Sequence, residues 1–496
     1  LWNGAAVGKG AQLRGAVLCS NAQVKAHSAV YEGAIIGDES IVKERCIIKP
    51  GSKIWPNKTI EEGTVFKNNL VWGVKSSSNL FSYRGVRGEF NLDISLELAL
   101  RLGFAFGSLL DPGVKIGVSS DDLTAAKIVK QVLSSGLQLV GQQVYDLGEV
   151  TAPITRFAIR HNNLQAGVNI SFAEQEELLQ ISFFNEKGAN INKAQEKKIE
   201  NILAIDDFRF INPRKIKEIL PLPGMYSLYF SNLRQQLKTK LSAKLIYSCP
   251  ASKLSSYFQQ LLEELGCQVE KTDFSKLKDV VQQKNADLGI YLDRQGETFI
   301  LYDEKGNVIK EDKLKVLLAY LLFKEDKNAT IVAPVDAPSV LEKLAEKYKG
   351  RVIRTKSAPE VMMEDMLKQG SKQFALEFDG VQAVLNILRF LEREQLKLSQ
   401  LNSAIPSFYL HKDVLECPWE IKGRIIRSLV EDTEENNCTG SLEGVKFTHP
   451  EGWALIMPDS EKPLVKIICE SSSYELAEEI SNFYKGKIQL IMKTQS

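Results

Sequence analysis

Ala16-Val17-Leu18-Cys19-Ser20-Asn21-Ala22-Gln23-Val24-Lys25-Ala26-His27-Ser28-Ala29-Val30-Tyr31-Glu32-Gly33-Ala34-Ile35-Ile36 carries a six-residue beat. From Leu18 the apolar positions run Val24, Val30, Ile36, Val42, Ile48, Ile54, Ile60, Phe66 and Trp72 without a break. Two residues before most of them stands something small, at Ala16, Ala22, Ser28, Ala34, Ser40, Cys46, Ser52 and Thr64. Short strands that stack an apolar side chain on the coil below, with small residues allowing tight corners, need this period. The spacing predicts a parallel β-helix over residues 4–73, within a first domain of residues 1–75. His27 is the one histidine of the repeat, and a lone side chain on a coil reads as solvated rather than as a general base. The segment reads instead as an assembly element that pairs copies of the chain or packs on a domain upstream.

Past the polar stretch Ser76-Ser77-Ser78-Asn79 the period changes. Ser95 stands as an N-cap before Leu98, Leu102, Ala105 and Leu109 at helical spacing, and short apolar strands then alternate with helices. Such alternation predicts mixed or parallel sheets covered by helices, in α/β domains over residues 80–222, 223–326 and 327–411. Residues 412–496 read as a smaller α+β domain.

Of the 496 residues, 63 are basic and 62 acidic, a net charge of +1, so no long-range field favours nucleic acid or an acidic membrane surface. The seven cysteines are scattered and form no CxxC pair, as in a protein with reduced thiols. The longest apolar run, 316–323, is far below the roughly 18 residues a membrane helix needs. A cytoplasmic protein is expected. The sequence opens at Leu1, already inside the repeat, and reads as the back part of a longer chain.

The hexapeptide region resembles the left-handed β-helix of hexapeptide acyltransferases and of sugar-nucleotide pyrophosphorylases. From about residue 80 the chain resembles the phosphohexomutase superfamily, the phosphoglucomutases and phosphomannomutases. Phe81-Ser82-Tyr83-Arg84-Gly85-Val86-Arg87-Gly88-Glu89-Phe90-Asn91 looks like its arginine-bearing entry motif, and Glu451-Gly452-Trp453 leads into its terminal phosphate loop. The fold class this implies is α/β, with an N-terminal left-handed parallel β-helix followed by a four-domain phosphohexomutase-like fold.

The resemblance also implies four functional loops, and each departs from the family pattern. The phosphorylated serine falls at Ala173, in Gly167-Val168-Asn169-Ile170-Ser171-Phe172-Ala173-Glu174-Gln175. Alanine cannot carry a phosphoryl group; Ser171 is the substitute hydroxyl, on the same side of an extended chain but next to Glu174, Glu176 and Glu177. The metal loop, three alternating aspartates in the family, reads Asp293-Arg294-Gln295-Gly296-Glu297, which would hold magnesium poorly, so no cofactor is expected. Between Gln373 and Gly380 the chain is too short for the sugar-reading loop. The terminal loop is Met457-Pro458-Asp459-Ser460-Glu461-Lys462-Pro463, without its arginine. Arg84, Arg87, Arg354 and Lys356 remain as an anion-binding remnant.

The expectation is a catalytically silent mutase-like region that regulates or assembles a sugar-1-phosphate nucleotidyltransferase, resembling mannose-1-phosphate guanylyltransferase, encoded upstream. The partners expected are that domain, further copies of the chain through the β-helix, and a sugar phosphate, nucleotide or nucleotide-sugar. The alternatives are an active phosphomannomutase or phosphoglucomutase with relocated catalytic residues, and an oligomerisation scaffold.

Overall fold

The computed structural model describes every residue except 67–68, 71–74, 77–79, 83, 174–177, 238, 371, 432–437, 460–461 and 494–496. Trp72, linker residues 77–79, Tyr83, the acids of 174–177, Ser460 and Glu461, singled out above, therefore lie outside the described residues. The chain divides after Met225 into two compact units.

The first unit opens with two-residue strands that pair in parallel, every third one with the next, in three sheets. Gln23 pairs with Ile41 and Ile41 with Thr59, so one circuit takes eighteen residues, or three six-residue repeats. Leu18 through Ile60 of the apolar column are at most 1% exposed and form one core with Ala22, Ala34 and Cys46. Corners recur with the same period: Gly15, Asn21, His27, Gly33, Glu39, Arg45, Gly51, Asn57 and Gly63 all have φ between 56° and 73°. His27 is thus a corner residue, its N–H donating to the Lys9 carbonyl at 3.1 Å.

The expected fold class needs correcting here. The described residues show a stretch of parallel sheets followed by an α/β region, and the left-handed β-helix is not shown. The physical reason is that a six-residue beat decides which strands stack but is indifferent to the sense in which the chain winds between them.

After the stack the first unit builds a seven-stranded mixed sheet, whose strands are β1 (Phe81–Ser82), β2 (Gly85–Glu89), β3 (Lys115–Ser120), β4 (Gln143–Glu149), β5 (Ala166–Ala173), β6 (Leu178–Asn185) and β7 (Leu220–Pro221). They lie in the order β1-β2-β6-β5-β3-β4-β7. Helices α1 (Leu96–Leu109), α2 (Thr124–Leu139) and α4 (Lys193–Ile205) supply Leu102, Phe106, Val129, Leu133 and Ile199 to a core shared with Val118, Val168, Ile170 and Ile181 of the sheet. Ser95 caps α1, its hydroxyl accepting the Leu98 N–H at 3.1 Å. Between α1 and α2, Gly103 and Gly136 permit close approach: a Cβ at Gly103 would lie 2.4 Å from the Leu133 carbonyl oxygen. Helix α3 (Ala152–His161) follows β4.

The second unit carries three further sheets. Strands β8 (Lys244–Ser248), β9 (Gln268–Lys271), β10 (Leu288–Leu292), β11 (Phe299–Asp303) and β12 (Val308–Ile309) lie in the order β9-β8-β10-β11-β12. A parallel pair, β13 (Thr330–Pro334) and β14 (Arg351–Thr355), follows. Last comes an antiparallel sheet of β15 (Tyr409–Glu416), β16 (Cys438–Ser441), β17 (Gly444–His449), β18 (Gly452–Pro458) and β19 (Leu464–Ser471), ordered β15-β19-β18-β17-β16. All seven cysteines are free thiols. Among the described residues no helix is long and apolar enough to cross a membrane.

Candidate functional site

On β5 the side chains alternate. Val168 and Ile170 enter the core, which sends Asn169, Ser171 and Ala173 to the opposite face. Asn169 is 1% exposed, and its amide donates to Ser119 Oγ at 2.9 Å and the Val150 carbonyl at 3.0 Å. Ser171, two residues on, is 6% exposed. In register, Ser171 lies opposite Gln180 of β6, and Gln180 lies opposite Arg87 of β2. Directly opposed residues of antiparallel strands project to one side, so Ser171, Gln180 and Arg87 form a row on a single face, its ends about 10 Å apart at two strand spacings. Arg87 is exposed. Arg84 stands in the turn between β1 and β2, its carbonyl accepting from Ser182 Oγ at 3.1 Å.

Asp121 is the residue here that sequence reasoning missed. It follows β3, its N–H donates to the Ile170 carbonyl at 2.9 Å, and its Oδ2 accepts the Phe172 N–H at 2.7 Å. The available signal was positional: an acid just beyond the carboxyl end of a parallel strand stands where α/β sheets place their ligand-handling groups.

In the second unit the 293–297 turn joins β10 to β11. Asp293 Oδ1 accepts the Glu297 N–H at 3.0 Å, while Oδ2 accepts from the Thr298 N–H at 3.1 Å and hydroxyl at 2.5 Å. Burial pushes the Asp293 carboxyl up to about 6, the nearby Glu297 charge adding to a rise that these hydrogen bonds oppose. The turn is pinned from behind. Gly380 N–H donates to the Gly296 carbonyl at 2.8 Å, and a Cβ on Gly380 would meet that oxygen at 3.1 Å. Asp379, which caps the helix Gly380–Glu394, accepts the Tyr229 hydroxyl at 2.7 Å on both oxygens. Neither anchor was read from the sequence, because nothing local marks a pairing between segments so far apart in the chain, 150 positions for Tyr229 and Asp379.

Among the described residues no group of three or more His, Cys, Asp or Glu side chains is placed to hold a metal ion, and the turn offers two carboxylates and an amide. Asp293 retains acceptor capacity beyond its three hydrogen bonds. The side-chain oxygen and nitrogen of Gln295 are both buried without a partner, and Glu297 adds a second carboxylate. The set is oxygen-only, as magnesium prefers, with less charge than three aspartates would bring.

Arg354 and Lys356 differ in availability. All five N–H groups of Arg354 are engaged: it donates to the carbonyls of Pro334 at 2.9 Å, Ala337 at 2.8 Å and Pro338 at 3.2 Å, and to Glu342 at 2.8 and 2.7 Å. An anion would have to break these bonds, whereas Lys356 is exposed. At the terminal loop Asp459 pairs with Lys466 at 2.8 Å, and Lys422 closes the loop by donating to the carbonyls of Asp459 at 2.7 Å and Lys462 at 2.5 Å. Lys422 also lies 3.4 Å above the Trp419 ring. Residues 373–378 form a short helix whose Gln373 amide bonds the backbone of Val332 through both its oxygen, at 2.8 Å, and its nitrogen, at 2.7 Å.

Residues 78–210 match the phosphoglucomutase/phosphomannomutase alpha/beta/alpha domain I family. A probable phosphoglucosamine mutase of Pyrococcus horikoshii is 26% identical over 457 residues, covering 84% of this chain and 99% of that protein. Among solved structures, a phosphoglucomutase/phosphomannomutase family protein from Burkholderia thailandensis superposes with a TM-score of 0.71 at 18% identity, covering 83% of this chain and 97% of that one. The Aspergillus fumigatus N-acetylphosphoglucosamine mutase, solved with GlcNAc-6P and magnesium, gives a TM-score of 0.50 at 10% identity, covering 83% and 96%.

These matches correct two expectations. The silent regulatory region of a nucleotidyltransferase gives way, because relatives named as mutases are matched over nearly their whole length and nothing shows a nucleotidyltransferase fusion. Physically, an alanine at one strand position does not remove the hydroxyl that Ser171 presents on the same face. The expectation of no cofactor gives way too, since a mutase of similar fold was solved with magnesium and the 293–297 turn offers oxygen donors.

Proposed function

We propose that this chain, folded as a phosphohexomutase over most of its length, moves a phosphoryl group between two positions of a hexose or hexosamine monophosphate. The observation that carries this reading is the row Arg87, Gln180, Ser171 on one face of the first sheet. It puts a hydroxyl and, two strands away on the same face, a guanidinium, the fork that matches phosphate oxygens. Ser171 Oγ, loaded once from a sugar bisphosphate, gives its phosphoryl group to the free hydroxyl of a hexose monophosphate and then takes back the phosphoryl group at the other position of the bisphosphate so formed, splitting a difficult transfer into two easier ones. Arg87 steadies the phosphoryl oxygens, since such transfer depends on positioning and charge neutralisation. In the second unit Asp293, Gln295 and Glu297 are the residues that would hold magnesium, an ion whose chemistry when bound is that of a Lewis acid.

The test is turnover of glucosamine, glucose and mannose 1-phosphates to their 6-phosphates, with magnesium and a catalytic amount of hexose 1,6-bisphosphate. Conversion of at least one, reduced about a thousandfold or more by Ser171→Ala, is expected. Absence of conversion of all three, beside an active mutase as control, contradicts the proposal.

A further inference from the structure

We propose that Asp121 is the positioning residue of the Ser171 hydroxyl, an inference that rests on Ser171 as the phosphoryl carrier. Strand β3 ends at Ser120, which pairs with Ile170, so beyond that point β5 has no strand partner on this edge. Asp121 replaces the missing partner on both sides of Ser171. Its backbone N–H donates to the Ile170 carbonyl at 2.9 Å, and its carboxylate Oδ2 takes the Phe172 N–H at 2.7 Å. The other oxygen, Oδ1, accepts the Leu123 N–H at 3.0 Å and so ties the carboxylate to the turn that leads into α2. Asp121 is 6% exposed, and a desolvated charge-assisted bond to a backbone amide is roughly twice as strong as a neutral one. With Ile170 and Phe172 held on one edge and Gln180 opposite on the other, the direction of the Ser171 side chain is set by its backbone. A transferring hydroxyl misplaced by about 1 Å loses up to roughly a hundredfold in rate.

Asp121→Asn and Asp121→Ala in the full chain test this by steady-state kinetics and amide hydrogen exchange. The expected result is a kcat lower by about 10- to 100-fold with KM within about twofold. Exchange at the Phe172 amide should rise by about tenfold or more while that of Val168 stays unchanged. Asparagine, which keeps one acceptor oxygen, should lose less than alanine, and being nearly isosteric it carries the test if the alanine variant does not fold. Unchanged kcat, or unchanged Phe172 exchange, with the parent chain active overturns the inference alone. Absence of turnover in the parent chain overturns it together with the reading of Ser171.

Discussion

Ser171 and Ala173 face the same way on β5, roughly 7 Å apart along the strand, and only the first carries an oxygen. The sequence already offers Ser171 as a substitute hydroxyl on the side of Ala173, and the acids Glu174, Glu176 and Glu177 weigh against it. The row to Arg87 became visible once register was known, since the arginine lies 84 positions earlier in the chain and two strands away. Single residues also govern how the fold responds to acid. His449 Nε2 lies 2.9 Å from the Tyr484 hydroxyl, and Tyr484 stacks on Phe447 with ring centroids 4.9 Å apart. Burial lowers the His449 pKa below its ordinary 6.5, so the fold prefers the neutral ring. The resulting stability is present above pH 6.5 and lost as pH falls through the lower folded value. His449→Gln, neutral throughout, should flatten the fall of the urea midpoint below pH 6.5; identical slopes in the two proteins would remove the assignment.

Among the elements, the opening stack was the most legible in sequence. Its period reports both the buried column and the corners, because each apolar residue and each left-handed corner returns after six residues. Corner residues differ in tolerance, which gives a clean backbone test at Gly51. Its φ is +73° and a Cβ there would meet nothing within 4 Å, so any cost of Gly51→Ala is conformational. The expected loss is about 1 kcal/mol, read as a lower denaturation midpoint; an unchanged midpoint would refute the corner argument. Winding sense was not legible, since the pairing of Gln23 with Ile41 needs only the right number of residues between them. Alternation of strands and helices was legible from residue 80 onward, but the anchors of the functional turns were not. The Gly380 N–H that holds Gly296, and the Tyr229 hydroxyl that holds Asp379, join segments whose local sequence bears no mark of the contact. Arg354 carries the opposite lesson. Its charge suggested an anion site, yet its five donors are consumed in holding the turn after β13 and Glu342.

For the molecule as a whole, composition excluded little beyond strong charge attraction, and loop-by-loop comparison pointed away from catalysis. The proposal of an active mutase rests on similarity to a protein named as a mutase across 84% of this chain and 99% of that relative, set against four loops that depart from the family pattern. What decides the matter is whether the chain carries the phosphoryl group at all. Peptide mass spectrometry after incubation with magnesium and hexose 1,6-bisphosphate reads this directly. The account predicts one phosphoryl group on Ser171, absent from Ser171→Ala; an unmodified Ser171, under conditions that phosphorylate the serine of an active phosphohexomutase, would contradict it.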